Sequence, residues 1–393
     1  MTAPAADGTA AILGRSRGLL GTLLVPALAL FTALVVGGFI IVFTNPDVLD
    51  EWASFGSDPT GALQASWDLV WAAYSALFES SLGSRQAISE TLMETTPLIL
   101  TGLSVALAFR AGLFNIGGEG QVLAGATAAV WVGFSFSLPT AIHLPLALVA
   151  GAVGGALWGG IAGFLKARTG AHEVITTIML NFIALRLVDY LLSTRTFLRP
   201  GRNDPISKTI EESAQLPRFA DDLRVNVGLL LALAAAWVIW WLLFRSTKGF
   251  ELRAVGANPS AARYAGIGVG ATWILAMLIA GALSGLAGAA TLLGVRRSLT
   301  GGFSGLGFDA IALALLGRSH PFGVVAAALL FGVLRAGATG MQAATSTPVD
   351  IIVVIQALVI AFVAAPSLIR AIYRIKAARG AGGAATFSTT WGA

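Results

Sequence analysis

The chain has 393 residues, of which 56% are hydrophobic and only 11% are charged, and its formal net charge is +5. Soluble domains carry about 25% charged residues, so this composition excludes an ordinary soluble enzyme and predicts an all-α membrane protein. Cysteine is absent, which excludes disulfides and thiolate metal sites. The basic excess fits loops that face an anionic membrane leaflet better than it fits a nucleic-acid partner.

Apolar segments of membrane-spanning length follow one another along the chain. Residues 1–18 predict a cytoplasmic tail, and residues 19–43 predict an uncleaved first span, because this run is too long for a signal peptide. Residues 69–82 are short and have tryptophans nearby, which predicts a helix at the membrane interface. The later apolar segments are residues 88–109, 122–136, 142–165, 173–193, 226–244, 269–294, 308–317, 321–339 and 349–368.

These segments predict a polytopic helical bundle with about ten membrane passages and both termini in the cytoplasm. Residues 19–373 form one membrane domain, with an extracellular loop at 194–225 and a cytoplasmic loop at 245–268, and residues 374–393 form a cytoplasmic tail. Residues 308–317 are too short to cross as a full helix, so we expect a half-helix joined to extended backbone. Asp309 is expected to cap the start of that half-helix.

Small residues recur at every fourth position in two of the predicted spans. The first stripe consists of Gly151, Gly155, Gly159 and Gly163. The second consists of Gly281, Gly285 and Ala289. Small residues let membrane helices approach closely, and we predict that the stripes pack within the chain rather than against another copy.

A polar break interrupts the apolar pattern at residues 112–121, which read GLFNIGGEGQ. Its three clustered glycines end a helix, and Asn115, Glu119 and Gln121 place polar groups beside the break. Irregular backbone at membrane depth must line a cavity or be buried in protein. The segment is therefore either part of a translocation pathway that hydrogen-bonds hydroxylated solutes or a tight turn between helices.

A polar stripe follows on the predicted span 173–193. Glu173, Thr176, Thr177 and Asn181 are three or four residues apart, so they share roughly one face of a helix. Such a stripe predicts either a wet pathway or polar contacts between helices.

The loop 245–268 reads RSTKGFELRAVGANPSAARYAGIG and carries too many charges to enter lipid. Asn258 and Pro259 are typical of a helix start, and Gly266 is typical of a helix end. The loop is therefore either an ordinary basic loop or a short rigid helix that passes a push from a soluble partner into the membrane.

Four stretches resemble a known family. They are ETTPLILTGLSVALAFRAGLFNIGGEGQ (residues 94–121), GAHEVITTIMLNFIA (170–184), FELRAVGANPSAARYAGI (250–267) and GFDAIALALLGRSHPFGVVAAALLFGVLRAG (307–337). Together they resemble permease subunits of ribose-type ABC importers, in the branch that handles nucleosides and simple sugars. The stretch 250–267 resembles the coupling-helix segment of these permeases.

The resemblance implies a translocation subunit rather than an enzyme. Separate ATPase subunits would bind ATP and Mg²⁺, which agrees with the absence of a GxxxxGK[ST] motif here, and this chain would hold no cofactor. It also implies an extracytoplasmic solute-binding protein, a second homologous permease and a location in the bacterial plasma membrane. The residues expected to couple to the ATPase are Arg253, Gly256, Asn258, Pro259, Ala261, Ala262 and Arg263. Those expected at the translocation pathway are Asn115, Glu119, Gln121, Glu173, Thr176, Thr177 and Asn181.

Two other functions remain open from the sequence. A secondary transporter or facilitator that works alone would need ion-coupling acids within its spans, but the acids here cluster at the ends of the spans. A membrane scaffold without transport activity would suit the glycine stripes, but polar broken helices do not suit it.

Overall fold

The computed structural model describes the backbone of residues 8–374 except residues 203 and 303, and the side chains of residue 24 and of residues 27–374 except residues 203, 303, 364, 366 and 367. The predicted tails at residues 1–7 and 375–393 lie outside the described residues. The first helix begins at Gly8, so residues 8–18 of the predicted N-terminal tail belong to a helix.

The helices, in chain order, are α1 (Gly8–Thr44), α2 (Pro46–Ala53), α3 (Pro59–Leu82), α4 (Arg85–Arg110), α5 (Gly118–Ser135), α6 (Thr140–Thr169), α7 (Glu173–Ser193), α8 (Gly228–Arg245), α9 (Thr247–Ala257), α10 (Pro259–Tyr264), α11 (Val269–Thr291), α12 (Leu306–Leu316), α13 (Pro321–Thr345), α14 (Asp350–Ala364) and α15 (Pro366–Ile372). A 3₁₀ turn at Glu212–Ala214 and a π-helical turn at Leu292–Arg296 complete the regular structure of the described residues, together with isolated β-bridges.

Seven helices in the described part of the chain are long and apolar enough to cross a membrane. They are α1, α4, α6, α7, α8, α11 with its π-helical turn, and α13. This confirms the predicted all-helical membrane bundle, and α7 begins and ends at the predicted residues. Residues 69–82, predicted at the interface, form the second half of α3, which is not among the seven.

The contacts divide the chain into two compact units. The first comprises Met1–Ser75 and Met341–Ala393. Within it, the hydroxyl of Tyr74 donates a hydrogen bond to the carbonyl of Leu34 at 2.5 Å. The hydroxyls of Thr32 and Tyr373 lie 3.0 Å apart. Contacts between residues distant in sequence therefore hold this unit together.

The helices of the second unit, Ala76–Gly340, run between two ends. We call one the loop end, because it carries the connection between α7 and α8. There the hydroxyl of Ser89 in α4 accepts hydrogen bonds from the N–H groups of Arg224 and Val225, both at 2.9 Å. The opposite end carries α9 and α10, and we call it the α10 end. There α4 ends at Arg110, whose guanidinium donates to the carbonyl of Ser319 at 2.9 Å.

Backbone contact joins α6 to α11 in the second unit. A Cβ atom at Gly155 would collide with the carbonyl oxygen of Gly281, and one at Gly285 would collide with that of Gly151. Only glycine allows two helices to approach this closely. This confirms that the two stripes of small residues pack against each other within the chain.

We expect Gly155→Ala to lower the free energy of unfolding by about 1–3 kcal/mol, because even one methyl group must push α6 and α11 apart. The matched control is Gly268→Ala, where the added Cβ would meet no atom nearer than 3.8 Å and where φ is −73°. Thermal unfolding of the detergent-solubilised protein, followed by size-exclusion chromatography, compares the two variants. Equal unfolding temperatures would contradict the importance of this contact.

Candidate functional site

The loop between α8 and α11 folds into two consecutive helices, α9 and α10. The hydroxyl of Ser246 accepts a hydrogen bond from the N–H of Gly249 at 3.0 Å and so caps α9. The side chain of Asn258 accepts one from the N–H of Ala261 at 3.0 Å and caps α10. Pro259 occupies the first turn of α10, as the sequence predicts. The short helix therefore has a fixed start.

One side of α10 is buried and the other is exposed. The buried side packs in an apolar cluster formed by Val255, Ala262 and Val269, with Trp273 packed against it. The exposed side presents Ala261, Arg263 and Tyr264. Because Tyr264 is 95% exposed, this face of α10 is free for contact with another protein, whereas the buried face ties the helix to α9 and α11.

The preceding helix, α9, is fixed against the end of α4. Gly256 lies so close to the carbonyl of Arg110 that any side chain there would collide with it. Gly112 lies against the same side of Gly256, and its φ of +73° also favours glycine. The guanidinium groups of Arg110 and Arg253 both lie over the ring of Phe244, at 5.7 and 5.4 Å from its centroid. The predicted coupling residues Arg253 and Gly256 therefore connect α9 to the membrane helices.

His320 also packs against Phe244 at the α10 end. Its ring stacks on Phe244 with 5.3 Å between the ring centroids. Burial, and after it the charge of Arg110, lowers the pKa of His320 below its ordinary value. The ring is therefore neutral at pH 7 and adds no third positive charge beside Arg110 and Arg253.

The second candidate region lies where α5 meets α12. Helix α12 has 11 residues and is about 16 Å long, which is roughly half the thickness of a hydrocarbon core. It ends beside Ser319 at the α10 end, so its N-terminus lies inside the bundle. The backbone that leads to it from Arg297 is irregular up to Ser304, apart from the undescribed residue 303. This arrangement matches the predicted half-helix with extended backbone.

Glu119, in the first turn of α5, caps α12 from a different part of the chain. One carboxyl oxygen accepts hydrogen bonds from the N–H and the hydroxyl of Ser304 and from the N–H of Gly305 at 3.1 Å. The other accepts one from the N–H of Gly307 at 2.8 Å. The side chain of Glu119 is fully buried. A carboxyl group at this position satisfies the free N–H groups and complements the dipole of α12.

The prediction that Asp309 caps this half-helix is wrong. The cap position is Gly305, which offers no side chain. Asp309 is the fourth residue of α12, whereas a capping side chain stands before the first turn. Its carboxylate instead pairs with Arg335 of α13.

Three amide side chains form a network beside the cap. Those of Asn115 and Gln121 exchange two hydrogen bonds, both at 3.1 Å. Asn181 accepts a hydrogen bond from the N–H of Gly120 at 2.8 Å and donates one to the carbonyl of Ile116 at 2.9 Å. Each of the three amide side chains is at most 1% exposed. In this conformation, therefore, they fix the break between α4 and α5 and connect it to α7.

The polar stripe on α7 divides into two parts. The hydroxyl of Thr177 donates to the carbonyl of Glu173 at 2.7 Å, and the carboxylate of Glu173 pairs with Lys166 of α6 at 2.5 Å. The ammonium group of Lys166 also lies 4.9 Å from the centroid of Trp273 in α11. Thr176 lies apart from this group, because it is only half-buried, whereas Glu173, Thr177 and Asn181 are buried.

Three features were not predicted from the sequence. They are helix α9, the ion-pair partner of Glu173, and the groups that donate hydrogen bonds to Glu119. For α9, Ser246 was an available helix-start signal. Lys166 directly follows the predicted span 142–165, and nothing in the sequence indicated that it pairs with Glu173. Ser304 lies in an irregular stretch without any periodic pattern, so nothing in the sequence pointed to its contact with Glu119.

Comparisons with known proteins agree with this geometry. Residues 87–365 match the family described as branched-chain amino acid transport system / permease component. The chain is 43% identical to the guanosine ABC transporter permease protein NupP of Bacillus subtilis (strain 168), covering 89% of this chain and 95% of NupP. It is 36% identical to the glucose ABC transporter permease protein TsgB13 of Haloferax volcanii, covering 86% of each.

A second guanosine ABC transporter permease protein of the same Bacillus strain, NupQ, is 29% identical, covering 62% of this chain and 79% of NupQ. No solved structure matches the chain significantly. The match to the family covers α10, the Glu119 cap and most of the spanning helices. This chain therefore belongs to the permease components of ABC transport systems and is a multi-pass membrane protein.

Proposed function

We propose that this permease imports nucleosides, with simple sugars as the second candidate class of solute. The observation that carries the proposal is the 43% identity to a guanosine permease over 89% of the chain. The 36% identity to a glucose permease keeps sugars as candidates. Both classes are rich in hydroxyl groups, and ordinary nucleosides and sugars carry no charge at neutral pH.

Energy enters through α10. ATPase subunits, which bind ATP and Mg²⁺, dock on the exposed face formed by Ala261, Arg263 and Tyr264. The caps from Asn258 and Pro259 support a rigid helix, and the buried Ala262 supports a firm connection to α11. A movement of the ATPase is thereby passed to the membrane helices without deforming α10.

A continuous set of contacts leads from α10 into the bundle. The apolar cluster around α10 includes Trp273, which lies against Lys166, and Lys166 pairs with Glu173 on α7. From there α7 reaches the break before α5 through Asn181, and α5 holds the N-terminus of α12 through Glu119. We propose that tilting of α10 shifts α12 along this route.

The predicted pathway residues act by positioning in this proposal. The amides of Asn115, Gln121 and Asn181 bond to one another or to the backbone, so they hold the shape of the broken region. Glu173 ties α7 to α6 through Lys166, and Thr177 packs against Gly117 in the break. Thr176 has the smallest expected role.

We propose the following setting for the complex. The chain lies in a bacterial plasma membrane with about ten passages and both termini in the cytoplasm, so that α10 faces the cytoplasm. A solute-binding protein delivers the solute to the loop end. The two guanosine permease proteins of one Bacillus strain both resemble this chain, which supports a heterodimer with a second, homologous permease.

The test is uptake by proteoliposomes that contain the permease with its ATPase, second permease and binding protein. We expect uptake of radiolabelled guanosine that depends on ATP hydrolysis, and we use glucose as the alternative solute. Uptake of glucose but not of guanosine would replace the first solute class with the second. Uptake by this chain alone, without nucleotide, would overturn the importer in favour of a secondary transporter or facilitator.

A further inference from the structure

Charged side chains from three helices meet inside the second unit. Arg335 is near the middle of α13, and its guanidinium pairs with Asp309 of α12. It also lies 4.0 Å from the carboxylate of Glu94 in α4. Charged groups within membrane bundles are expensive to bury and tend to face a wet cavity or a solute pathway. This cluster was not among the residues predicted at the pathway.

A cavity of about 90 Å³ lies beside the cluster. Its lining combines polar and charged groups, among them Glu94, Asn226, Ser304 and Arg335. Asn226 lies two residues before α8 at the loop end, so the cavity lies toward that end. Ser304 connects the cavity to the Glu119 cap on the N-terminus of α12. The cavity therefore adjoins the half-helix that, in the proposed mechanism, shifts when α10 tilts.

The cluster has hydrogen-bonding capacity that suits a hydroxyl group. The 4.0 Å between Arg335 and Glu94 is longer than a hydrogen bond. A hydroxyl oxygen placed between them can accept from the guanidinium and donate to the carboxylate at normal lengths. A carboxylate only accepts and an ammonium group only donates, so neither satisfies both partners. The gap therefore favours an uncharged, hydroxylated solute.

The backbone supplies one more acceptor. Pro97 in α4 has no N–H to offer to the carbonyl of Met93, one turn earlier. Both residues line the cavity. That carbonyl therefore loses its usual helical donor, and in the site proposed below it serves as a second acceptor for a solute with adjacent hydroxyl groups.

We propose that this cavity is a transit site where hydroxyl groups of the solute contact Glu94 and Arg335, and where Asp309 positions the guanidinium. The inference rests on the proposed function and names the site that its solute crosses. At about 90 Å³ the cavity is much smaller than ordinary ligand pockets, which measure roughly 300–1,000 Å³. A sugar ring therefore enters the cavity fully only when α12 moves away from α4. The site thus binds the solute transiently during transport and does not hold it tightly.

The absence of cysteine from the chain allows a direct test with single cysteines. Thr291→Cys places a thiol on the cavity wall. Thr127→Cys is the matched control on a separate, apolar groove. Both threonines are half-buried, and each hydroxyl donates to the carbonyl four residues earlier at 2.8 Å. Each substitution therefore removes an equivalent hydrogen bond, and we expect both to destabilise the protein to a similar extent.

The experiment measures the rate at which a water-soluble methanethiosulfonate reagent labels each thiol in the reconstituted complex, with and without guanosine. We expect guanosine to slow labelling of Thr291→Cys several-fold and to leave labelling of Thr127→Cys unchanged. Unchanged labelling of Thr291→Cys in a preparation that still takes up guanosine overturns the transit site but leaves the importer standing. Equal slowing at both thiols indicates a general closure and also overturns it. Absence of uptake in every preparation counts against the proposed function itself.

A second measurement separates solute contact from a purely structural role. We expect Glu94→Gln to lower the ratio of guanosine uptake to 2′-deoxyguanosine uptake by about ten-fold, because the ribose hydroxyl then donates to a neutral amide oxygen, or meets the NH₂ group, instead of donating to a carboxylate. A structural role would reduce both rates and leave their ratio unchanged, which would overturn the contact. Asp309→Asn should lower the uptake of both nucleosides and change the ratio of their uptake rates less than Glu94→Gln does. A change of this ratio as large as that of Glu94→Gln would contradict the positioning role of Asp309.

Discussion

Glu119→Leu is expected to prevent stable folding of the second unit. The buried carboxyl group accepts three backbone N–H groups at the start of α12 and the hydroxyl of Ser304. Leucine offers no acceptor. A buried donor left without a partner, such as the N–H of Gly307, costs about 1–3 kcal/mol, and the partly buried donors of Ser304 and Gly305 lose their partner as well. Native proteins have a free energy of unfolding of only about 5–15 kcal/mol. Losing the hydrogen bonds to Glu119 therefore removes a large fraction of that free energy. The amount of permease in membranes and its unfolding temperature in detergent measure the effect.

Glu119→Gln is the matched control for this prediction. Glutamine has nearly the same shape and keeps one acceptor oxygen, but its NH₂ group faces donors that need an acceptor. We therefore expect an intermediate unfolding temperature for Glu119→Gln and a much lower one, or no folded protein, for Glu119→Leu. If the leucine variant were as stable as the unaltered chain, the cap on α12 would not support the fold.

Ala261→Trp is expected to abolish most transport while the permease still folds. Ala261 lies on the exposed face of α10, so the indole meets no atoms of the buried cluster. It does occupy the face on which we propose that the ATPase docks, where a bulky ring keeps the two surfaces apart and breaks hot-spot contacts worth about 2 kcal/mol or more. Such a loss lowers the affinity for the ATPase by at least about ten-fold. ATP-dependent uptake and co-purification of the ATPase measure it.

The control for Ala261→Trp is Ala141→Trp, an equally bulky change at an exposed position near the start of α6 at the loop end. It should leave binding of the ATPase unchanged. Ala262→Trp gives a third comparison, because Ala262 is 4% exposed and the indole must displace the apolar cluster. We expect that variant to lose stability as well as transport. Normal uptake with Ala261→Trp would contradict docking on this face.

The sequence predicted what depends on local chemistry. The start of α10 follows from Asn258 and Pro259, because a cap acts within a few residues. Close packing of α6 and of α11 within the chain follows from glycine spacing, since four-residue periodicity defines one helix face, but the spacing did not show that these two helices pack against each other. The length of residues 308–317 sufficed to predict a half-helix.

Contacts between residues that are far apart in the sequence could not be predicted in this way. Glu119 and Ser304 are 185 residues apart, and neither lies in a pattern that indicates the other. The same holds for Arg335, whose acidic partner Asp309 was assigned to the cap of α12 instead. A single sequence shows which polar groups need partners, but only the fold shows which partners they find.

The contact between α6 and α11 also limits how the protein can change shape. Helices that interlock through side chains can slide by one turn when those side chains exchange partners. Gly155 and Gly285 meet carbonyl oxygens directly, so no layer of side chains exists there to rearrange. These two helices must therefore travel together as one body during a transport cycle. Only helix pairs that contact each other through larger side chains can slide. One such pair is α4 and α12, where Leu313 lies against the glycine at residue 102.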